Sequence, residues 1–325
     1  MFTKSILNKS FLILFSLLFS TFFSQHLAVK DTVLMGCSFQ IKIVGKDSIT
    51  AHTLAQEAAE EISRIEHLLS DWLPNTPISQ INQNAGKQPI IVPKEVFDIT
   101  QRAKNYAEIT GGIFDITYAS MDKIWRFDGS MTSLPSFEDI QKATRNIGYQ
   151  HLILNAKDQS VFLEKEGMKI SFGSIGKAYA ADKAKEKMIE KGALSGLINA
   201  SGDITTWGNK NSKSWRIGIH NPYQKHLPIK VLKLYNEAIT TSGDYEKYVL
   251  FNDKRYSHII NPLTGYPSTG TISVTVVGEN AEICNLLSIS LMILGAENGK
   301  KLIKKYPKYT AYLITDQGKI RHLKP

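Results

Sequence analysis

Apolar residues recur at three- and four-residue spacing from Ile49 to Leu69, where Ala55, Ala58, Ala59, Ile62, Ile65, Leu68 and Leu69 share one face of a helix. A polar, proline-containing loop, Ser70 to Pro77, breaks the pattern. A short segment around Ile78 to Asn82 then leads to a second helical stretch, Lys94–Thr110, which Gly111 and Gly112 bring to a stop. Ser136 with Asp139 three positions on is a loose capping box for a helix over 136–146. Two more helices are predicted, Lys177–Lys191 ending near Gly192, and Ala281 to Leu294. Between them lie shorter apolar runs that read as strands. These are Met35 to Val44, a hairpin of His151–Asn155 with Val161–Glu164, Gly196–Asn199, Trp215–Ile219, Ile229–Leu234, Ala238–Thr241, Tyr248–Phe251, Ser273–Val277 and Thr310–Thr315. Strands and helices mix without a regular strand–helix–strand alternation, so the predicted class is α+β rather than a doubly wound sheet.

The first 24 residues stand apart. Lys4 and Lys9 precede an apolar stretch from Phe11 to Phe23, too short for a comfortable membrane span and built like a secretory signal. Cleavage after Ser24 leaves residues 25–325 as the working domain; retention of 1–24 as an anchor is the alternative. Leu34-Met35-Gly36-Cys37 looks like a lipidation box, but His26, Lys30 and Asp31 separate it from the apolar stretch, so Cys37 reads as a strand residue. The chain has 325 residues and 2 Cys, too few thiols for a disulfide scaffold or a four-thiolate zinc site. Pairing of Cys37 with Cys284 stays open.

The net charge is +9, from 39 Lys+Arg and 30 Asp+Glu. Removing the leader takes away two lysines and no acids. The basic residues pepper the whole chain and no basic run is interleaved with aromatics, which reads as a solvated basic surface and not a nucleic-acid site.

Glycine-rich turns next to polar residues are the candidate chemistry. They are Thr110–Thr117, Ser171–Lys177, Asn199–Asp203, Thr241–Asp244 and His258–Gly265. Ser171–Lys177 runs into a helix, a plan that lets backbone N–H groups approach phosphate, with Lys177 as the charge. It is neither a Walker loop nor a dinucleotide fingerprint. Singly, each turn is a weak signal.

Together and in order, these segments resemble the FAD:protein FMN transferases, the ApbE flavin transferase family. The resemblance runs from Met35-Gly36 to Leu294-Gly295. It includes Ser70-x-Trp72, Ser79-x-Ile81-Asn82, Gly112–Thr117, Gly176–Asp182, Trp215–Ile219 with Pro222, Thr241–Asp244, His258–Gly265 and Ser273–Val276. It implies a two-lobed α+β domain and an exported enzyme. That enzyme moves the FMN half of FAD onto a Thr or Ser hydroxyl of an acceptor protein, a membrane-bound or periplasmic redox subunit, and releases AMP. Mg²⁺ is the implied cofactor. By match to family positions, Met35, Trp72, Ile113, Phe114, Asp115, Ser171, Lys177 and Ile259 are expected to contact FAD. His258 is the natural general acid/base, its reference pKa lying nearest neutral, and Asp244 is the second candidate for base or metal contact. The implied metal positions are Ser174, Asn285 and Ser288.

The chain departs from the family at four positions. Ser171 stands where an Asp is usual, and Ser201 where a second glycine is. Asn285 and Ile289 replace the Asp and Thr that hold Mg²⁺ on the late helix. One unit charge lost at ~4 Å in an effective dielectric of ~20 is worth on the order of 4 kcal/mol, roughly a thousandfold in cation affinity. An FAD-binding relative without transfer activity and an FAD pyrophosphatase therefore stand as alternatives to the transferase.

Overall fold

The computed structural model describes residues 25–208, 214–223, 227–244, 248–251 and 254–325. The expected signal segment, 1–24, lies outside the described residues. Among the described residues no helix is long and apolar enough to cross a membrane.

The chain opens on a hairpin of β1 (His26–Leu34) and β2 (Cys37–Gly45) that the sequence pattern shows only in its second half. Met35 and Gly36, read above as the start of a strand, are its two-residue turn, with φ of 52° and 69°. That pair of left-handed residues is the turn whose twist suits a tight hairpin. α1 (Ser48–Leu69) follows, with the Asp47 carboxylate accepting from the Thr50 amide, and then α2 (Pro77–Gln83). A smaller region holds β3 (Ile90–Ile91), α3 (Lys94–Thr110), a 3₁₀ turn at Ile116–Ser120, α4 (Phe137–Thr144), β4 (Leu152–Asn155) and β5 (Ser160–Leu163). The Ser136/Asp139 capping box of α4 is present in both directions.

The second half begins with α5 (Ile175–Glu190), two residues earlier than the periodicity suggests. It continues through β6 (Ser195–Ala200), β7 (Asp203–Trp207), β8 (Trp215–Ile219), β9 (Lys230–Leu234), β10 (Ala238–Gly243), β11 (Tyr248–Phe251), β12 (Lys254–Ser257) and β13 (Thr271–Gly278). α6 (Ala281–Ile303), β14 (Thr310–Thr315) and β15 (Ile320–Leu323) complete it. Gly295, at φ 67° and ψ −176°, breaks α6 where the sequence pattern ends the helix, and a second helical stretch continues beyond it.

An eight-stranded antiparallel sheet, β1-β2-β6-β7-β10-β13-β14-β15, organises the molecule. Phe39, Ile41 and Ile43 of β2 bury one face against α1 and α5. Val274 and Val276 of β13 pack on Cys284, Leu287 and Leu291 of α6, while Val277 faces Trp215 and Leu234 of the β8–β9 hairpin. A strand covered on both faces reads as one unbroken buried run, as β13 does. Both cysteines are free, Cys37 half-buried on β2 and Cys284 fully buried in α6, so the disulfide left open above is not formed.

Candidate functional site

Antiparallel pairing sets three chain segments at one end of the sheet. Phe39 pairs with Ala200 and Thr240 with Asp203, so the β1–β2 turn, the β6–β7 turn and the end of β10 project from the same edge. Ser201 joins the two turns, its amide donating to the Ser38 carbonyl at 3.0 Å.

The start of α5 faces this edge. A Cβ built on Gly176 would stand 3.5 Å from the Met35 Cε, and one on Gly36 would stand 3.9 Å from the Trp72 ring. Met35, Trp72 and the helix N-terminus thus form one wall, and Trp72 is 67% exposed on it. Upstream, the Ser171 amide donates to the Ile116 carbonyl at 3.1 Å, which ties Ser171–Lys177 to the Ile113–Asp115 segment. Ser171 Oγ accepts from the Gly173 amide (3.1 Å), and Ser174 at the helix N-cap makes no side-chain capping bond.

Asp115 organises its own loop. Its carboxylate accepts from the Thr117 amide and hydroxyl at 2.8 and 2.7 Å and from the Tyr149 amide at 2.9 Å. Burial pushes its pKa up, and these bonds oppose the shift. With three protein donors in place, Asp115 holds the chain around Ile113 and Phe114, both buried, rather than presenting an open acceptor.

The floor of the site is polar and buried. Lys177 reaches from the first turn of α5 to within 3.9 Å of Asp203 Oδ2. The Asn285 amide nitrogen donates to Asp203 Oδ1 at 3.2 Å. Asp203, at the start of β7, is buried, and burial raises its pKa against the pull of Lys177. Asn285 Oδ1 is buried and has no hydrogen-bond partner among the described residues. Ser288, one turn along α6, bonds to Ser242 Oγ at 2.7 Å and donates to the Asn285 carbonyl at 3.0 Å, so its hydroxyl is engaged in joining α6 to β10. Ile289 is half-buried and offers no oxygen. Among the described residues no group of three or more His, Cys, Asp or Glu side chains gathers to hold a metal.

His258 and Ile259 arrive on a separate loop. The Ser257 amide donates to the Ser268 carbonyl at 3.2 Å and the Ser268 amide to the Ile259 carbonyl at 2.8 Å. Trp125 Nε1 donates to the Gly265 carbonyl at 2.8 Å, fastening the loop to the α4 region. A Cβ on Gly112 would meet the Leu263 side chain at 2.8 Å, so this loop borders the Ile113–Asp115 segment. His258 is exposed, with the Phe127 ring edge-on at 6.4 Å between centroids. Asp244 follows β10 and is buried, with Arg255 Nε 3.0 Å from Oδ2 and a guanidinium nitrogen 2.9 Å from Oδ1. Burial lifts Asp244 to about 6 despite that guanidinium. In this arrangement it is the counter-ion of Arg255.

The residues expected from the sequence therefore fall into a wall (Met35, Trp72), a helix start (Ser171, Ser174, Lys177), a floor (Asn285, Ser288) and a bordering loop (His258, Ile259). Asp203, the centre of the floor, was not among the expected site residues. Its signal was its place at the end of the Asn199–Asp203 glycine turn.

Comparison with known proteins bears on the family and the fold. The ApbE family model matches residues 35–314. An FAD:protein FMN transferase of Klebsiella pneumoniae is 30% identical over 287 residues, covering 88% of this chain and 88% of its own. One from Escherichia coli is 27% identical over 302 residues, covering 91% of this chain and 86% of its own. The crystal structure of the ApbE protein of Thermotoga maritima superposes with a TM-score of 0.82 at 28% identity, over 92% of this chain and 97% of that one. The apo flavinyl transferase ApbE of Pseudomonas stutzeri gives 0.81 at 25% identity, over 92% and 95%.

Proposed function

This chain belongs to the ApbE family, and on that premise we propose that it is an FAD:protein FMN transferase. An acceptor Thr or Ser oxygen attacks the FMN phosphorus of FAD, a phosphoester forms, the pyrophosphate bond breaks and AMP leaves. The observation that carries the reading is the buried polar floor under an uncapped helix start. There Lys177 supplies positive charge and α5 aims its N-terminal amide dipoles at the same space.

The chain's own residues divide the work as phosphoryl transfer requires. Trp72 and Met35 give an apolar wall for a ring system. Lys177 and the α5 N-terminus offset pyrophosphate charge. His258, on its anchored loop, takes the proton from the acceptor hydroxyl. The unpartnered Asn285 Oδ1 suits a hard cation such as Mg²⁺, with Ser174 beside the helix start as a second oxygen. Mg²⁺ bound there would neutralise charge on the pyrophosphate. The leader at 1–24 supports export, with a periplasmic or membrane-bound redox subunit as acceptor.

The thinned donor set at Asn285 and Ile289 favours one rival, FAD binding without transfer. Both are tested by incubating the protein with FAD, Mg²⁺ and a family acceptor fragment, then assaying a fluorescent flavin band on a denaturing gel and released AMP. A band with AMP is the expected result. AMP alone means hydrolysis, and tight FAD binding with neither product means a carrier. No FAD binding would overturn every flavin reading.

A further inference from the structure

Resting on the transferase reading, we propose that Ser201 is a positioning residue whose hydroxyl latches the Met35 wall to the floor strand and keeps the FAD cleft preformed. The β6–β7 turn consists of Ser201 and Gly202, both left-handed, with φ of 50° and 100°. It repeats the plan of the Met35-Gly36 turn beside it. Gly202 adopts that conformation freely. A side chain at φ 50° crowds its own backbone, so serine is held there at a cost glycine would escape.

What the serine side chain adds is one bond. Ser201 Oγ donates to the Ser38 carbonyl at 3.0 Å, the same oxygen that accepts from the Ser201 amide at 3.0 Å. The pairing of β2 with β6 ends at Phe39 and Ala200, so these two bonds carry the join out into the turns. On one side, Ser38 follows closely on the turn that presents Met35, whose Cε stands 3.5 Å from a Cβ built on Gly176. On the other, the Gly202 amide donates to Asn199 Oδ1 at 2.8 Å, and the chain passes directly into Asp203, the partner of Lys177. The latch therefore spans the wall and the floor of the proposed cleft. With only the amide bond left, the Met35 turn leans away in part of the free protein. FAD binding must then restore it, and apparent affinity falls by the fraction that is already in place.

The test separates position from stability with variants of the full chain, read by quenching of flavin fluorescence and by thermal melts. Ser201→Ala loses the hydroxyl and keeps the crowded backbone. Ser201→Gly loses the hydroxyl and relieves the crowding, so it should melt above Ser201→Ala. Both should bind FAD roughly three- to tenfold more weakly than wild type, with KM for FAD raised by the same factor and kcat within about twofold. Ser201→Thr keeps the hydroxyl on a β-branched side chain ill suited to positive φ, so it should melt below wild type yet bind FAD within about twofold of it. Affinity that follows the hydroxyl, and not the melting temperature, is the mark of the latch. The inference is overturned if Ser201→Gly binds FAD as wild type does, or if affinity rises and falls with melting temperature across the variants. Should Ser201→Thr not fold, the Ala and Gly pair decides alone. Wild type that binds FAD but transfers no FMN sinks the transferase reading and leaves the affinity comparison standing. Unchanged affinity in Ser201→Gly, with FMN transfer intact in wild type, sinks this inference alone. No FAD binding by wild type sinks both.

Discussion

Two of the helices that lie against the central sheet, α5 and α6, begin in opposite ways. α6 starts sealed. Asn280 Oδ1 accepts from the Ile283 amide at 2.9 Å, and Asp182 Oδ2 accepts from the Ala281 and Glu282 amides at 2.8 and 3.0 Å. Glu282, in the first turn, is itself held by Arg102 and Tyr106 at 2.9 Å. α5 starts open. Ser174 occupies its N-cap with no side-chain bond, the Gly176 amide donates to the Phe172 carbonyl at 2.7 Å, and the first turn carries the cation Lys177. Helix starts attract anions. Where this protein supplies its own carboxylate the helix end is structural; where it supplies a lysine, the transferase reading proposed above would set a phosphate of FAD there.

The strongest test of that division is Asp182. Asp182→Ala strands two buried amides and should cost about 3 kcal/mol in urea unfolding, while FAD affinity stays within about twofold. An equal loss of FAD affinity would break the division. Asp182→Asn keeps an acceptor and isolates the charge. Burial lifts this carboxyl from 3.8 to about 7, against the pull of the Glu282 amide. Its folded pKa exceeds its unfolded one, so its contribution is fully present below about pH 4 and fades as pH rises through about 7. The stability advantage of wild type over Asp182→Asn should therefore shrink across that window, read from melts at each pH.

Much of the scaffold was legible because local signals agreed. α3 runs from Lys94 to Thr110 as its periodicity indicates, and Gly111 at φ 64° ends it. β1 escaped because an edge strand is half-buried, and Lys30 and Asp31 in its middle blur the alternation. β7 escaped for the opposite reason. All five of its residues are buried, yet Thr205 and Thr206 hide an apolar environment behind polar names. In the site, Lys177 could be picked out from the glycine turns, and Asn285 only through the family resemblance. Asp203 could not, because its contact with Asn285 spans 82 positions and exists only once β7 packs beneath α6.

Lys177 gives the next largest effect, and of a different kind. Lys177→Met removes the charge at the open helix start and should weaken FAD binding roughly ten- to a hundredfold, measured by quenching of flavin fluorescence. Its partner oxygen on Asp203 is 3.9 Å away and its side chain is 27% exposed, so its ion pair adds little to folding. The melting temperature should move far less than in Asp182→Ala. A large drop in stability with unchanged FAD affinity would make Lys177 a structural residue and close the open helix start.

The smallest effect compares the two caps directly. Asn280 satisfies an α6 amide that would otherwise lack a partner, so Asn280→Ala should cost about 1 kcal/mol, within the usual range for losing a cap. Ser174 stands at the same position on α5, yet its hydroxyl bonds to no amide of the helix. Ser174→Ala should therefore change unfolding free energy by less than about 0.5 kcal/mol, as for a substitution that breaks no contact. Paired urea melts of the two alanine variants read the difference. If both lose the same stability, Ser174 caps α5 after all, and the contrast between a sealed and an open helix start disappears.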